Sequence, residues 1–102
     1  MMTDSLKIKC KMIAKYYGSS HQAVKAIEEM AELQKELAKY ALNDNYNMKN
    51  IIEELADVCI MIEQLKYCMI PDDVDLNDII WEKLDRQLKR MESENDAENC
   101  HE

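Results

Sequence analysis

The sequence has a single glycine, a single proline and no phenylalanine. A β-rich fold draws on turn glycines and on many β-branched or aromatic residues, so this composition excludes one. Positive charge is also short, with 13 Lys and Arg against 21 Asp and Glu and a formal net charge of −8. Nucleic-acid binders present a basic face to phosphate, so nucleic acid is not an expected partner. No apolar run reaches the ~18 residues that a membrane span requires, so a membrane is not expected either. The first twelve residues are interrupted by Asp4, Lys7, Lys9 and Lys11, which does not read as a secretory signal. Cys10, Cys59, Cys68 and Cys100 form no CxxC pair, and two of them fall within an apolar helical run. They read as free thiols of a cytoplasmic protein rather than as a disulfide framework.

What is present is 102 residues with a normal globular share of apolar side chains, 47%. A chain this short buries only about 60–65% of its unfolded surface, and self-association is a ready remedy. Three breaks punctuate it: Gly18-Ser19-Ser20, Asn43-Asp44-Asn45-Tyr46-Asn47 and Pro71-Asp72-Asp73. They leave helical segments at roughly 4–17, 20–42, 48–69 and 76–94. Asp4 or Ser5, Ser19 or Ser20, Asn47 and Asp75 are the expected caps. Short loops between long helices favour antiparallel neighbours. The expected fold is all-α, an up-and-down helical bundle of about four helices completed by oligomerisation. It forms one domain over 1–94, followed by a polar, frayed tail over 95–102.

The second segment has a broad apolar side of Ala23, Ala26, Ile27, Met30, Leu33 and Leu37. Gln22, Lys25, Glu28, Glu29, Glu32 and Glu36 cover the other side, which reads as a solvated face with charge pairs. The third segment is apolar nearly all round, so it is expected to be buried on most sides. Yet it carries Glu54 and Asp57. Burying an unpaired carboxylate costs several kcal/mol or forces it to take a proton. A salt bridge to Lys25, Lys83, Arg86 or Arg90 is one compensation. A raised pKa in an apolar pocket is another, and a divalent cation is the third.

The carboxylates come in pairs, Glu29-Met30-Ala31-Glu32 and Glu54-Leu55-Ala56-Asp57. An i,i+3 spacing puts both members of a pair on one helical face. Two such helices packed antiparallel bring four carboxylates together, a hard oxygen donor set suited to Mg²⁺ or Mn²⁺. No Cys/His cluster favours zinc. The Glu-x-x-His motif of ferritin-like di-iron bundles does not occur.

Residues 21–65 contain EExxE at Glu28, Glu29 and Glu32, then a loop, then ExxD at Glu54 and Asp57. This stretch resembles the MazG-like all-α nucleoside triphosphate pyrophosphohydrolases. The resemblance implies a helical homodimer or homotetramer that binds Mg²⁺, with Mn²⁺ as a substitute. It implies cleavage of a nucleoside triphosphate to the monophosphate and pyrophosphate. It makes Glu29, Glu32, Glu54 and Asp57 the metal ligands, and Glu28 or Glu32 the carboxylate that takes the water's proton.

The fourth segment holds the clustered positive charge: Lys83, Arg86, Lys89 and Arg90. Lys83, Arg86 and Arg90 share one stripe, readable as a phosphate clamp or as salt bridges to the acidic surface. Relatives often carry Lys and, four residues later, Asn, where this chain has Lys83 and Gln87. Gln22 and Lys25 are the expected nucleotide contacts on the second segment. Tyr16, Tyr17, Tyr40 and Trp81 are candidates for stacking on a base, although aromatics at helix seams usually serve packing. His21 is expected to be exposed. Two functions follow: a Mg²⁺-dependent pyrophosphohydrolase, or a non-enzymatic helical oligomer acting as an adaptor or regulatory binding protein.

Overall fold

The computed structural model describes residues 2–42 and 45–100, with side chains through residue 97. Four helices account for most of it: α1 (Asp4–Tyr17), α2 (Ser19–Ala41), α3 (Met48–Met69) and α4 (Leu76–Cys100). No strand occurs among the described residues. The fold is all-α, as the glycine- and aromatic-poor composition requires. Asn43 and Asp44, in the expected second break, and residues 101–102 of the expected tail lie outside the described residues.

The helix ends follow from local chemistry. The Thr3 hydroxyl accepts from the Leu6 N–H at 3.3 Å and caps α1, in place of Asp4 or Ser5. Gly18 alone joins α1 to α2, with its N–H donating to the Ala14 carbonyl at 2.8 Å and its carbonyl accepting from the Gln22 N–H at 3.1 Å. Its φ of 82° and ψ of 170° are open only to glycine, so the chain's one glycine sits where the backbone needs it. Neither Ser19 nor Ser20 caps α2, because the helix already begins at Ser19 and no side chain bonds its first turn. Asn47 caps α3 through the Lys49 N–H at 2.9 Å. Asp75 accepts from the Asn77 N–H at 2.9 Å. Both agree with the sequence reading.

The chain divides into two compact units, Met1–Ile70 and Pro71–Glu102, where the sequence suggested one domain over 1–94. In the first, α3 packs against both α2 and α1. In the second, α4 runs on through Cys100, past the expected fraying point at residue 95. The additional turns are rich in Glu and Asn and gain their order from backbone bonding.

The core is small. The buried apolar residues are Cys10, Ala14, Ala26, Ile51 and Met61, three of them with short side chains. Most of the apolar surface that the sequence assigned to the interior is open. Ile27 on α2 is 67% exposed, and Ile52 on α3 is 59% exposed. The expectation that α3 is buried on most sides is therefore not met within one chain. Two neighbouring helices cover two stripes of a third and leave the rest of its circumference free.

Several polar residues are buried instead. Glu63 of α3 accepts from Lys66 Nζ at 3.0 Å and from the Tyr67 hydroxyl at 3.1 Å. Burial pushes the Glu63 carboxyl up. The bonds from Lys66 and Tyr67 and the charges of Lys66 and Lys7 outweigh that, so its pKa falls below the ordinary value. Burial, then the Glu63 charge, pushes the Cys10 thiol up, as suits an inert core cysteine.

Candidate metal centre and adjoining cleft

Two contacts fix how α2 meets α3. Gln22 Nε2 donates to Gln64 Oε1, and Glu29 lies beside Asp57. Seven residues forward along α2 correspond to seven residues back along α3, so the two helices are antiparallel. Seven residues are about two turns, so both contacts fall on the same face of each helix.

On that face Glu29, Glu54 and Asp57 converge, each offering a carboxylate oxygen within 4.8 Å of the others. Glu32 is exposed and is not part of the group. The structure thus brings together three of the four carboxylates that the i,i+3 spacing singled out. Glu54 Oε2 is buried and has no hydrogen-bond partner among the described residues. Burial, then the charges of Asp57, Glu29, Glu32 and Glu36, push the Glu54 carboxyl above its ordinary value. These causes are what a hard cation would relieve, and the donor set is of the type Mg²⁺ prefers. The residues present fit such an ion.

A protein cation meets this group at Glu29, while Glu54 and Asp57 have no ion pair among the described residues. Lys25 Nζ stands 3.2 Å from Glu29 and 3.8 Å from Glu28, its i+4 and i+3 neighbours. The hydrogen bond to Glu29 and the charges of Glu29 and Glu28 raise the Lys25 pKa, so the ammonium stays charged. On α4, Lys83, Arg86, Gln87 and Arg90 are exposed. Among the described residues, Lys83, Arg86 and Arg90 form no ion pair, whereas Lys89 bonds Asp85 at 3.0 Å.

A cleft of about 570 Å³ adjoins the carboxylates. Glu28, Glu29, Asp57 and Lys25 line it, together with Gln22, Gln64, Tyr17 and His21. This volume is in the range of small-molecule sites. Gln22 and Lys25 were expected at the site and are there. Gln22 was also read as part of the solvated face, yet it is 3% exposed. The reason is its bond to Gln64, a residue the sequence reading did not select. A glutamine on an apolar helix, at the same seven-residue spacing from Asp57 as Gln22 from Glu29, was the available signal. Tyr17 lines the cleft with its ring stacked on exposed His21. Tyr16 meets Tyr17 edge-on, and Tyr40 meets Tyr46 the same way, while Trp81 lies exposed on α4. Glu36, also assigned to the solvated face, is buried, and its Oε2 has no hydrogen-bond partner among the described residues. Among the described residues, no helix is long and apolar enough to cross a membrane. No family model matches this chain, and no curated protein or solved structure matches it at a significant level.

Proposed function

We propose that the protein is a Mg²⁺-dependent nucleoside triphosphate pyrophosphohydrolase. The observation that carries this reading is the convergence of Glu29, Glu54 and Asp57 around a buried carboxylate oxygen with no donor among the described residues. Glu29, Glu54 and Asp57 would hold the cation, with Glu32 one turn along α2 from Glu29. The cation supplies neutralisation of phosphate charge and activation of the attacking water. Lys25 stands at the cleft wall as a permanent positive charge for a phosphate oxygen. Glu28 lines the same cleft outside the carboxylate group, which suits it to accept the water's proton. Lys83, Arg86, Gln87 and Arg90 are proposed as further phosphate contacts on the strength of the motif resemblance alone.

Self-association belongs to the same proposal. Large apolar side chains are exposed on all three helices of the first unit, and a shallow groove on α2 is lined by Met30, Leu33, Leu37 and Ala41. Contiguous apolar surface of this kind marks association sites. A purely structural oligomer, the competing function, would also cover these faces. In that reading Glu54 and Asp57 pair with Lys or Arg across an interface, and Glu54→Gln destabilises the fold because it leaves a buried cation unpaired. The deciding experiment is pyrophosphate release from a panel of ribo- and deoxyribonucleoside triphosphates, with Mg²⁺ and with chelator, for wild type and Glu54→Gln. Release that needs Mg²⁺ and vanishes in the variant establishes the activity. Silence across the panel, without a thermal shift on adding Mg²⁺ or Mn²⁺, refutes it.

A further inference from the structure

Two turns of α2, about 10 Å, separate the carboxylate group from a polar corner of the same cleft that a cation does not need. Its core is the buried amide pair. Gln22 Nε2 donates to Gln64 Oε1. Gln22 Oε1 lies 2.7 Å from His21 Nδ1, and since an amide oxygen only accepts, Nδ1 carries the hydrogen. Each amide oxygen thus already accepts one hydrogen bond. The groups left with nothing opposite them are N–H. Gln64 Nε2 has two hydrogens and no partner among the described residues, and Gln22 Nε2 has a second hydrogen. Gln64 Nε2 is not sealed from solvent, because the sealed atoms without a partner are Glu36 Oε2 and Glu54 Oε2. Both glutamines line the cleft, so a ligand group can reach the Gln64 hydrogens. Beside them Tyr17 and His21 stack with ring centroids 4.4 Å apart and planes 14° apart, giving an aromatic wall. A flat heterocycle can lie on such a wall while its edge meets the amides.

We propose that Gln64, held in orientation by Gln22 and His21, reads a carbonyl oxygen on the edge of a nucleobase. The substrate class is then nucleotides of uracil, thymine or an oxo-purine, in preference to cytosine or adenine. This rests on the pyrophosphohydrolase reading for the phosphate end of the nucleotide. The unpartnered Gln64 N–H groups supply the discrimination. A base with an exocyclic amino group would set N–H against N–H and leave buried donors without acceptors. The spacing is consistent: a nucleoside reaching from the corner places its 5′ end toward Glu29 and Asp57.

The test uses nucleosides, which carry no phosphate and so do not depend on the cation. Uridine and cytidine are titrated into the full chain while the side-chain amide signals of Gln64 are followed by NMR. Uridine is expected to move these signals and to bind about tenfold to a hundredfold tighter than cytidine, the cost of one mismatched buried pair. Gln64→Glu, which presents an acceptor instead, is expected to reverse the order. Gln64→Met keeps the shape without hydrogens and should erase the preference; it serves if the charged variant does not fold. Tyr17→Ala should weaken both nucleosides alike. Equal binding of the two nucleosides, or Gln64 signals that neither one moves, overturns the proposal. In that case Mg²⁺-dependent pyrophosphate release would still stand on its own. A uridine preference in a protein that cleaves no triphosphate would support the corner and sink the catalytic reading.

Discussion

Gln22 donates a hydrogen bond to Gln64 in the same antiparallel register that sets Glu29 beside Asp57. The amide pair thereby acts as a register pin for the carboxylate group two turns away. Replacing Gln22 by Leu removes the donor and leaves Gln64 Oε1 buried without one. An unpaired buried acceptor costs about 1–3 kcal/mol, and each kcal/mol lowers the Tm of a domain this size by about 4–8 °C. Differential scanning calorimetry of Gln22→Leu checks this. A Tm within one degree of wild type would show that the pair does not hold the register.

The Glu54→Gln substitution is expected to act in opposite directions on stability and on activity. A carboxyl whose folded pKa is raised binds its proton more tightly when folded. The folded state therefore loses stability as pH rises from the ordinary value through the raised one. Above the raised value the charge is present and unfavourable, so there Glu54→Gln should raise the Tm in the presence of chelator. It should also remove the Mg²⁺-induced Tm shift and lower pyrophosphate release by more than the ~10–100-fold typical of losing an outer partner. Glu32→Gln, at a residue outside the converged group, should retain far more metal affinity than Asp57→Asn. Equal losses in the two would place Glu32 among the ligands.

The fold class and the convergence of three of the four paired carboxylates were legible because their signals are local. One glycine and one proline exclude a sheet, and i,i+3 spacing places two acids on one face whatever the partner helix. Helix boundaries at Tyr17, Met48 and Met69 were legible for the same reason. Gln22, Glu36, Glu63 and Gln64 were not. Their burial comes from register between helices, which a single helical wheel does not contain. The exposure of Ile27 and Ile52 was hidden in the same way. An apolar stripe states that a face wants cover, but not whether this chain or another copy supplies it.

Gly18→Ala tests the α1–α2 junction. A Cβ at residue 18 would meet no atom within 4 Å, so sterics with the rest of the protein are not the issue. The backbone conformation is. A non-glycine residue held in this region costs on the order of 1–3 kcal/mol. Urea unfolding should show a lower midpoint with an unchanged m-value. An unchanged midpoint would mean that the junction relaxes to another conformation.

Glu63 sets the acid limb of stability in the first unit. Its folded pKa is lowered, so as pH falls the unfolded chain takes the proton first. The stabilisation is full above the ordinary value of 4.5 and drains away as pH falls through the lower folded value. Glu63→Gln loses the charge-assisted bonds from Lys66 and Tyr67. It should destabilise by about 1.5–3 kcal/mol at pH 7, with a shallower loss of stability as pH falls below the ordinary value of 4.5. Parallel pH profiles for the two proteins would contradict the assignment.

The exposed apolar face of α2 makes the final prediction one about concentration. Leu37 and Met30 line the groove on α2, and both are more than 40% exposed. If a second copy covers them, dissociation uncovers this apolar surface, at about 25 cal/mol per Å². The Tm should then rise with protein concentration, as it does whenever a partner binds only the folded state. Leu37→Lys would set a charge in that interface and shift the sedimentation profile toward monomer. The lysine would sit on an already exposed position, so the isolated fold should tolerate it within about 0.5 kcal/mol. A wild-type protein that sediments as a monomer at every concentration, with full pyrophosphohydrolase activity, would show that the site is complete within one chain.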